Sequence, residues 1–330
     1  MEVADAGPAL AVDHLRVAFP TRRGVLVAVH DATFTIERGE ILGLVGESGA
    51  GKSVTGGAII GLIDPPGRIV GGEIRLAGRR IDQLPDDAMR RIRGREIGAI
   101  FQDPLTSLNP LYTIGRQLIE TIRTHRPMSE TAARACAIAL LEDVGISAPA
   151  RRIDHYPHQF SGGMRQRVVI ALALAGEPKL IIADEPTTAL DVSIQAQIIE
   201  LLKRLARDRG VGVLLITHDM GVIGETADRV AVMYAGRLVE IGPVERIIHR
   251  PRHPYTAGLM GSIPSLVDER ERLTQIDGAM PRLNAVPAGC AFHPRCPRAS
   301  ARCAQEQPVL EMQNGVGLAC WHPLAARDAP

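Results

Sequence analysis

The chain has 330 residues, of which 45% are apolar but only 3% aromatic, so its core must be built from Ala, Val, Leu and Ile. This is ordinary for an α/β enzyme, and the length allows a main domain of about 250 residues with an appendage. Lys and Arg total 38 against 37 Asp and Glu, and this balance disfavours a nucleic-acid-binding role. The first ten residues lack a signal-peptide layout and the apolar run 168–175 is shorter than a membrane span. We therefore expect a cytoplasmic chain.

Alternating apolar residues near the N-terminus predict two strands of an antiparallel sheet, at 10–19 and 27–36, joined by the turn TRRG. The next segment, EILGLVGESGAGKS, is an apolar strand that runs directly into glycines and then into a helix predicted to end near Ile63. A further strand pair is predicted at 71–81 and a short buried strand at 97–102.

The glycine loop at 46–53 matches G-x-x-x-x-G-K-[ST] at every fixed position. Its glycines let backbone N–H groups close around phosphates, Lys52 adds positive charge, and Ser53 offers a hydroxyl to Mg²⁺. The alternative is a tight turn with a chance match, which the flanking strand and helix disfavour. The predicted phosphate site consists of Gly46, Glu47, Ser48, Gly49, Ala50, Gly51, Lys52 and Ser53.

Helical spacing from 111 to 144 predicts an all-helical insertion of two helices, broken near Pro127 and capped at Ser129. After it, continuous apolar strands at 179–186 and 211–219 flank a predicted helix, the βαβ rhythm of a parallel sheet. The chain then continues into a predicted hairpin that turns at Ala235 and Gly236.

Two acidic residues end the strand KLIIADEP. Asp184 can hold Mg²⁺ through its water shell, and Glu185 can orient or deprotonate an attacking water. The alternative is a pair of helix-capping acids after a strand.

The segment FSGGM offers a second anion site, because the Gly162 and Gly163 N–H groups and the Ser161 hydroxyl open a helix. No strand precedes it, so it is not a second phosphate loop. Either it converges on the first site, or it serves a nucleotide bound to another subunit.

With these motifs in this order, the chain resembles the ATP-binding subunits of ABC transporters, whose signature is LSGGQ. Met164 stands where most families have Gln, a change that removes no backbone donor. The resemblance implies an α/β ABC-type P-loop ATPase domain at 9–250, with an antiparallel β subdomain and a helical signature subdomain at 111–176. It implies ATP and Mg²⁺ as cofactors, and two subunits that close head to tail so that each signature helix caps the partner's ATP.

Further roles are implied by the same resemblance, position by position. Gln102 matches the glutamine that reaches Mg²⁺ and water, and His218 the histidine that contacts the γ-phosphate. Asp191 matches the loop along the dimer seam, and Phe19 lies where an aromatic ring stacks on adenine. The implied catalytic residues are Glu185, His218 and Gln102, and the implied Mg²⁺ ligands are Ser53, Gln102 and Asp184.

The composition of the chain changes near Pro251, beyond which prolines and then cysteines become frequent. We place there the boundary of a small Cys-rich C-terminal extension, 251–330. Four thiols in this extension suit Zn²⁺ or an iron-sulfur cluster, and their spacing does not separate the two. HRPRHPYTAGLM and the cysteine segment resemble the extension of oligopeptide and dipeptide importer subunits, which implies a [4Fe-4S] cluster, with Zn²⁺ as the alternative. The cysteines are Cys290, Cys296, Cys303 and Cys320.

The resemblance implies an ATP-hydrolysing subunit that drives import of dipeptides or oligopeptides. Its implied partners are a second and paralogous ATPase, two permeases and an extracytoplasmic binding protein, with the chain peripheral on the cytoplasmic face of the membrane. The alternatives are an importer for nickel or another small solute, and a soluble ABC ATPase of DNA repair or translation. Those soluble proteins usually carry two ATPase halves or a long coiled coil, which this chain lacks.

Overall fold

The computed structural model describes residues 7–188, 190–262 and 275–325. They form two compact units. The first contains the described residues within Met1–Leu10, Ile36–Glu40 and Leu76–Leu215, and the second those within Ala11–Thr35, Ile41–Arg75 and Ile216–Pro330. Parts of the predicted extension, 263–274 and 326–330, lie outside the described residues.

The strands and helices follow the chain in this order. The strands are β1 (Leu10–Thr21), β2 (Gly24–Ile36), β3 (Ile41–Val45), β4 (Arg68–Leu76), β5 (Arg79–Arg80), β6 (Ile97–Ile100), β7 (Leu180–Asp184), β8 (Gly212–Thr217), β9 (Arg229–Tyr234), β10 (Arg237–Pro243), β11 (Glu311–Gln313) and β12 (Val316–Leu318). The helices are α1 (Lys52–Ile59), α2 (Asp86–Ile92), α3 (Pro104–Ser107), α4 (Ile114–His125), α5 (Glu130–Asp143), α6 (Pro149–Arg152), α7 (Gly162–Leu174), α8 (Val192–Arg209), α9 (Met220–Thr226), α10 (Val244–His249), α11 (Pro254–Gly261) and α12 (Ala301–Gln305). Within the described ranges, none of these helices is both long and apolar enough to cross a membrane.

The second unit is built on a sheet with strand order β4-β1-β2-β10-β9-β3. The predicted hairpin of β9 and β10 is antiparallel, and both turn residues have positive φ, 44° at Ala235 and 79° at Gly236. These dihedral signs fit the primed turn that matches strand twist. Strand β3 is buried along its whole length and runs parallel to β9, so the glycine loop starts at the end of a rigid central strand.

The C-terminal extension adds β12 to the same sheet. Strand β12 pairs antiparallel with β10, Glu240 opposite Leu318, and also with β11. The side chain of Glu240 is fully buried and accepts the backbone N–H groups of Arg252 at 2.8 Å and His253 at 3.0 Å. A residue inside the ATPase sheet therefore fixes the point where the extension begins.

The first unit combines the parallel strands β6 and β7 with the helical insertion. Ile97 pairs with Leu180, and β8 follows β7 in the sheet order. The insertion has the predicted break and cap, since the Ser129 hydroxyl accepts the Ala132 N–H at the start of α5. The sequence patterns missed α2, a polar helix with only Met89 and Ile92 buried.

One predicted boundary is wrong. Helix α1 ends at Ile59 rather than near Ile63, because Gly61 takes a positive φ of 65° and the Leu62 N–H donates to the Gly57 carbonyl at 2.8 Å. This is the glycine-terminated end that satisfies the last helical carbonyls.

Candidate functional site

The glycine loop begins where β3 ends and closes onto the N-terminus of α1. Gly46 and Gly51 take φ of 154° and 108°. A Cβ would lie 2.2 Å from the Met233 carbonyl at Gly46, and 2.8 Å from the Ala28 carbonyl at Gly51. Only glycine fits such close backbone contacts. The loop is therefore held against its own sheet at both ends.

Lys52 opens α1 and turns back over the loop. Its side chain is buried, and its Nζ donates to the carbonyls of Gly46 at 2.7 Å and Glu47 at 3.1 Å. Because the free N–H groups of a helix start carry partial positive charge, this ammonium and the α1 terminus together favour an anion.

The sequence analysis missed two residues of the extension that contact the loop. Arg295 makes a two-pronged ion pair with the Glu47 carboxylate, at 2.8 Å from Nη1 and 3.0 Å from Nη2. The Tyr255 hydroxyl accepts the Glu47 N–H at 2.9 Å. Arg295 lies 248 positions from Glu47 in the chain, so no local pattern could have found the contact.

In the first unit, the structure brings together two predicted site residues, Gln102 and Glu185. The Gln102 amide donates to Glu185 Oε2 at 3.0 Å, and the Thr188 hydroxyl donates to the same oxygen at 2.9 Å. Glu185 has a positive φ of 48°, a conformation that costs a residue with a side chain about 1–3 kcal/mol. Asp184, just before it, ends the buried strand β7 and is half-buried.

The signature segment starts helix α7 as predicted. Ser161 is its N-cap, and the serine hydroxyl accepts the Met164 N–H at 3.4 Å. A Cβ on Gly163 would lie 2.5 Å from Ile194 Cγ2, whereas a Cβ on Gly162 would make only an ordinary contact with Leu190 Cδ2 at 3.8 Å. The first N–H groups of a helix have no partner within it, so they are available to an anion. Met164 contacts Arg152, whose Nη1 lies 3.0 Å from the thioether sulfur.

Three further predicted residues lie at ends or edges of elements. Asp191 is the N-cap of α8 and accepts the Ile194 N–H at 2.9 Å, so it has a structural part in this fold. His218 is exposed directly after β8. Phe19 is partly exposed on β1. Its ring packs against Gly67, where an added Cβ would lie 2.4 Å from Phe19 Cε1.

The four C-terminal cysteines are free thiols. Burial, and then the charge of the other three thiolates, raises the pKa of Cys320 to about 11. The Cys290 N–H donates to the Cys303 carbonyl at 2.8 Å and ties the two cysteine segments together. However, in the part of the chain that the structure describes, no three His, Cys, Asp or Glu residues form a group able to hold a metal ion. As placed, the thiols therefore do not form a metal-ligand set.

Comparisons with known proteins identify the family. The model of the ABC transporter family matches residues 29–188, and that of the oligopeptide/dipeptide transporter C-terminal region matches residues 239–303. The chain is 47% identical to the dipeptide transport ATP-binding protein DppD of Escherichia coli (strain K12), over 97% of this chain and 98% of that protein. It is 48% identical to the oligopeptide transport ATP-binding protein OppD of Bacillus subtilis (strain 168), over 97% and 91%.

The chain belongs to the ABC transporter family of ATP-binding proteins.

Solved structures agree with this assignment. The ABC ATPase domain resembles the dimeric ATP-binding cassette MJ0796 bound to ADP and Pi, with a TM-score of 0.63 and 29% identity, covering 71% of this chain and 98% of that one. It also resembles cbiO1 of Clostridium perfringens, part of an ABC transporter complex, with a TM-score of 0.63 and 27% identity, covering 73% and 90%. The predicted ABC-type P-loop ATPase fold is confirmed. The chain is an ATP-binding and ATP-hydrolysing transporter subunit.

Proposed function

We propose that this ABC ATPase drives the import of dipeptides or oligopeptides. The observation that carries the cargo class is the extension, which matches the oligopeptide/dipeptide transporter C-terminal region. It is joined to the ATPase sheet through β12 and Glu240. Relatives named for dipeptide and oligopeptide transport align over nearly the whole chain, extension included.

In the nucleotide loop, the N–H groups and Lys52 bind the phosphates of ATP. Lys52 already takes carbonyl oxygens as partners, so phosphate oxygens can replace them without moving the α1 terminus. Mg²⁺, which Ser53, Asp184 and Gln102 have the oxygen donors to hold, neutralises the phosphate charge when bound. Phe19 stacks on adenine and His218 contacts the γ-phosphate.

Glu185 is the general base in this proposal. Its Oε2 accepts hydrogen bonds from Gln102 and Thr188, which orient the carboxylate. A carboxylate oriented in this way can accept a proton from an attacking water. Since Gln102 donates directly to the base, displacement of Gln102 would remove one hydrogen bond from the carboxylate.

The signature helix serves the ATP of a partner ATPase, and Asp191 lies along the seam between the two subunits. Ser161→Arg fills this anion site with a long cation. We expect a mixed dimer with this change in one subunit to bind ATP at that subunit's own loop and to lose hydrolysis at the other. Loss of nucleotide binding at the mutated subunit's own loop instead would contradict the assignment.

The remaining partners are two permeases and an extracytoplasmic binding protein. The chain is peripheral, on the cytoplasmic face, and the helices α4 and α5 transmit movement to the permeases. The second ATPase is a paralogue.

The cargo is tested by uptake of labelled dipeptides, oligopeptides and nickel in cells lacking this chain. We expect peptide uptake to return with the wild-type chain and not with Glu185→Gln. Normal peptide uptake together with lost nickel uptake would move the cargo to metal, and no change in either would favour a soluble ATPase.

The metal at the cysteines stays a prediction: a [4Fe-4S] cluster, or Zn²⁺. The four free thiols of the extension support it, although as placed they do not form a ligand set. Iron and acid-labile sulfide in the anaerobically purified full chain, lost in Cys303→Ser, would support the cluster. Zinc alone would support the alternative, and neither metal would remove both.

A further inference from the structure

The contacts of Glu47 point to a task for the extension within the ATPase itself. We propose that Arg295 and Tyr255 are positioning residues that hold the nucleotide loop in its ATP-binding shape before ATP arrives. This inference rests on the proposed role of the loop, and it adds two residues that none of the loop motifs contains.

The first support is the charge pair. Arg295 and Glu47 are joined by two short hydrogen bonds, and the arginine side chain is only 8% exposed, the glutamate 26%. Burial alone would lower the pKa of Arg295, but its hydrogen bonds and charge contact with Glu47 raise that pKa above its usual value. Paired, shielded charges of this geometry are much stronger than exposed ion pairs.

The second support is that Arg295 is itself fixed. Its Nε donates to the Asp277 carbonyl at 2.8 Å and its Nη2 to the Ile276 carbonyl at 3.3 Å, both in the extension. The guanidinium thus ties a folded part of the extension to the loop. It cannot follow the loop as a flexible surface side chain would.

The third support is Tyr255, which holds the backbone of the same residue. Its hydroxyl accepts the Glu47 N–H, and its ring is fully buried against Tyr234 and Phe292, with centroids 4.7 and 5.3 Å away. A ring packed on two sides cannot swing, so the hydroxyl marks a fixed position for the Glu47 amide.

These contacts reach the phosphate-binding side through Lys52. The lysine ammonium donates to the carbonyls of Gly46 and Glu47, and the Glu47 N–H that Tyr255 holds belongs to the same peptide group as the Gly46 carbonyl. A shift of this backbone would displace the ammonium. Because ordering a loop in advance reduces the entropy lost on binding, the contacts should strengthen ATP binding and leave the chemical step unchanged.

The test compares MgATP affinity of the full chain with Arg295→Gln, Glu47→Gln, their double variant and Tyr255→Phe. Arg282→Gln, an exposed arginine of the same extension, is the control for loss of charge. We expect either single glutamine variant to bind MgATP about tenfold more weakly, because losing a hydrogen bond to a charged group typically weakens an equilibrium by at least about that factor. The double variant should match the singles, and Tyr255→Phe should weaken binding about threefold. In the assembled transporter, Arg295→Gln and Tyr255→Phe should raise the KM for ATP while kcat stays constant.

Two readouts separate the possible failures. If the wild-type chain binds no MgATP, or Lys52→Ala binds it equally well, the proposed function of the loop falls. If Lys52→Ala loses binding while Glu47→Gln and Arg295→Gln bind as the wild type does, only the present inference falls. Glu47→Gln keeps the side-chain size at a partly exposed loop position, so it remains informative if Arg295→Gln fails to fold.

Discussion

Glu47 and Glu185 are two carboxylates that this protein holds in opposite ways. Glu47 is paired with a buried guanidinium fixed by the extension, and its N–H is held by a buried tyrosine. Glu185 accepts hydrogen bonds from the neutral side chains of Gln102 and Thr188, and its backbone φ is positive. A residue that shapes a loop benefits from a permanent charge partner, whereas a base must exchange its partners for water. The two residues therefore differ in the groups that position them, a guanidinium for Glu47 and an amide and a hydroxyl for Glu185.

The largest effect should come from removing the base while keeping its shape. Glu185→Gln retains size and hydrogen bonding but cannot accept a proton, so we expect ATP turnover to fall by about 10²- to 10⁴-fold. MgATP affinity should stay near that of the wild type, as measured by equilibrium binding. Retained turnover in the assembled transporter would show that Glu185 is not the base.

The stability of the protein should depend on pH through His253. This residue caps α11, the helix that carries Tyr255, by accepting the Tyr255 N–H at 3.0 Å. Burial lowers the pKa of His253 to about 3, so the folded state favours the neutral ring. Stability is then fully present above about pH 6.5 and is lost as the pH falls towards 3, by at most about 1.4 kcal/mol per pH unit.

His253→Asn keeps a capping acceptor but cannot take up that proton. We expect the free energy of unfolding of the wild type to fall more steeply than that of the variant between pH 6.5 and 4. Glu240, whose pKa burial raises, is present in both proteins, so its contribution cancels in the comparison. Parallel pH profiles would contradict a buried neutral His253.

Next in size is a packing effect at the signature helix. Gly163→Ala places a methyl group 2.5 Å from Ile194, and we expect it to lower the free energy of unfolding by about 1–3 kcal/mol. Gly162→Ala is the matched control, because its nearest neighbour is a Leu190 methyl at 3.8 Å. Chemical denaturation of both variants measures the difference. Equal stabilities of the two variants would contradict this prediction, because they would mean that Ile194 of α8 can move away from the added methyl group at no cost.

The smallest effect concerns Asp191. Asp191→Ala removes the cap of α8 and should cost about 1 kcal/mol of unfolding free energy, whereas Asp191→Asn keeps the acceptor and most of that stability. If Asp191 acts only at the seam between the two subunits, both variants would have the unfolding free energy of the wild type and would differ from it in ATP turnover alone.

Local patterns predicted the parts of this molecule that depend on neighbours in sequence. The strand, loop and helix around Lys52, the cap at Ser129 and the turn at Ala235 and Gly236 each lie within a few residues of the signal that predicts them. Helix α2 was missed because its polar surface leaves only a weak apolar period. The contact of Gln102 with Glu185 could be expected only from the family resemblance.

Long-range pairings could not be predicted, since nothing local specifies them. Glu240 looks like an exposed strand residue, yet it is buried because two backbone N–H groups satisfy its carboxylate. Arg295 resembles any arginine of a proline-rich tail, and only the folded chain brings it to Glu47. The extension was therefore interpreted as an appendage, although it contributes a strand to the ATPase sheet.

The most direct test of the central claim is transport by the complete importer. The chain, its paralogous ATPase, the permeases and the binding protein would be reconstituted in sealed vesicles, with ATP on the side of this chain and a labelled dipeptide on the other. We expect dipeptide accumulation that needs ATP and that is lost with Glu185→Gln in this chain. Accumulation that continues without ATP or with the variant, or ATP hydrolysis with no peptide movement, would contradict the account.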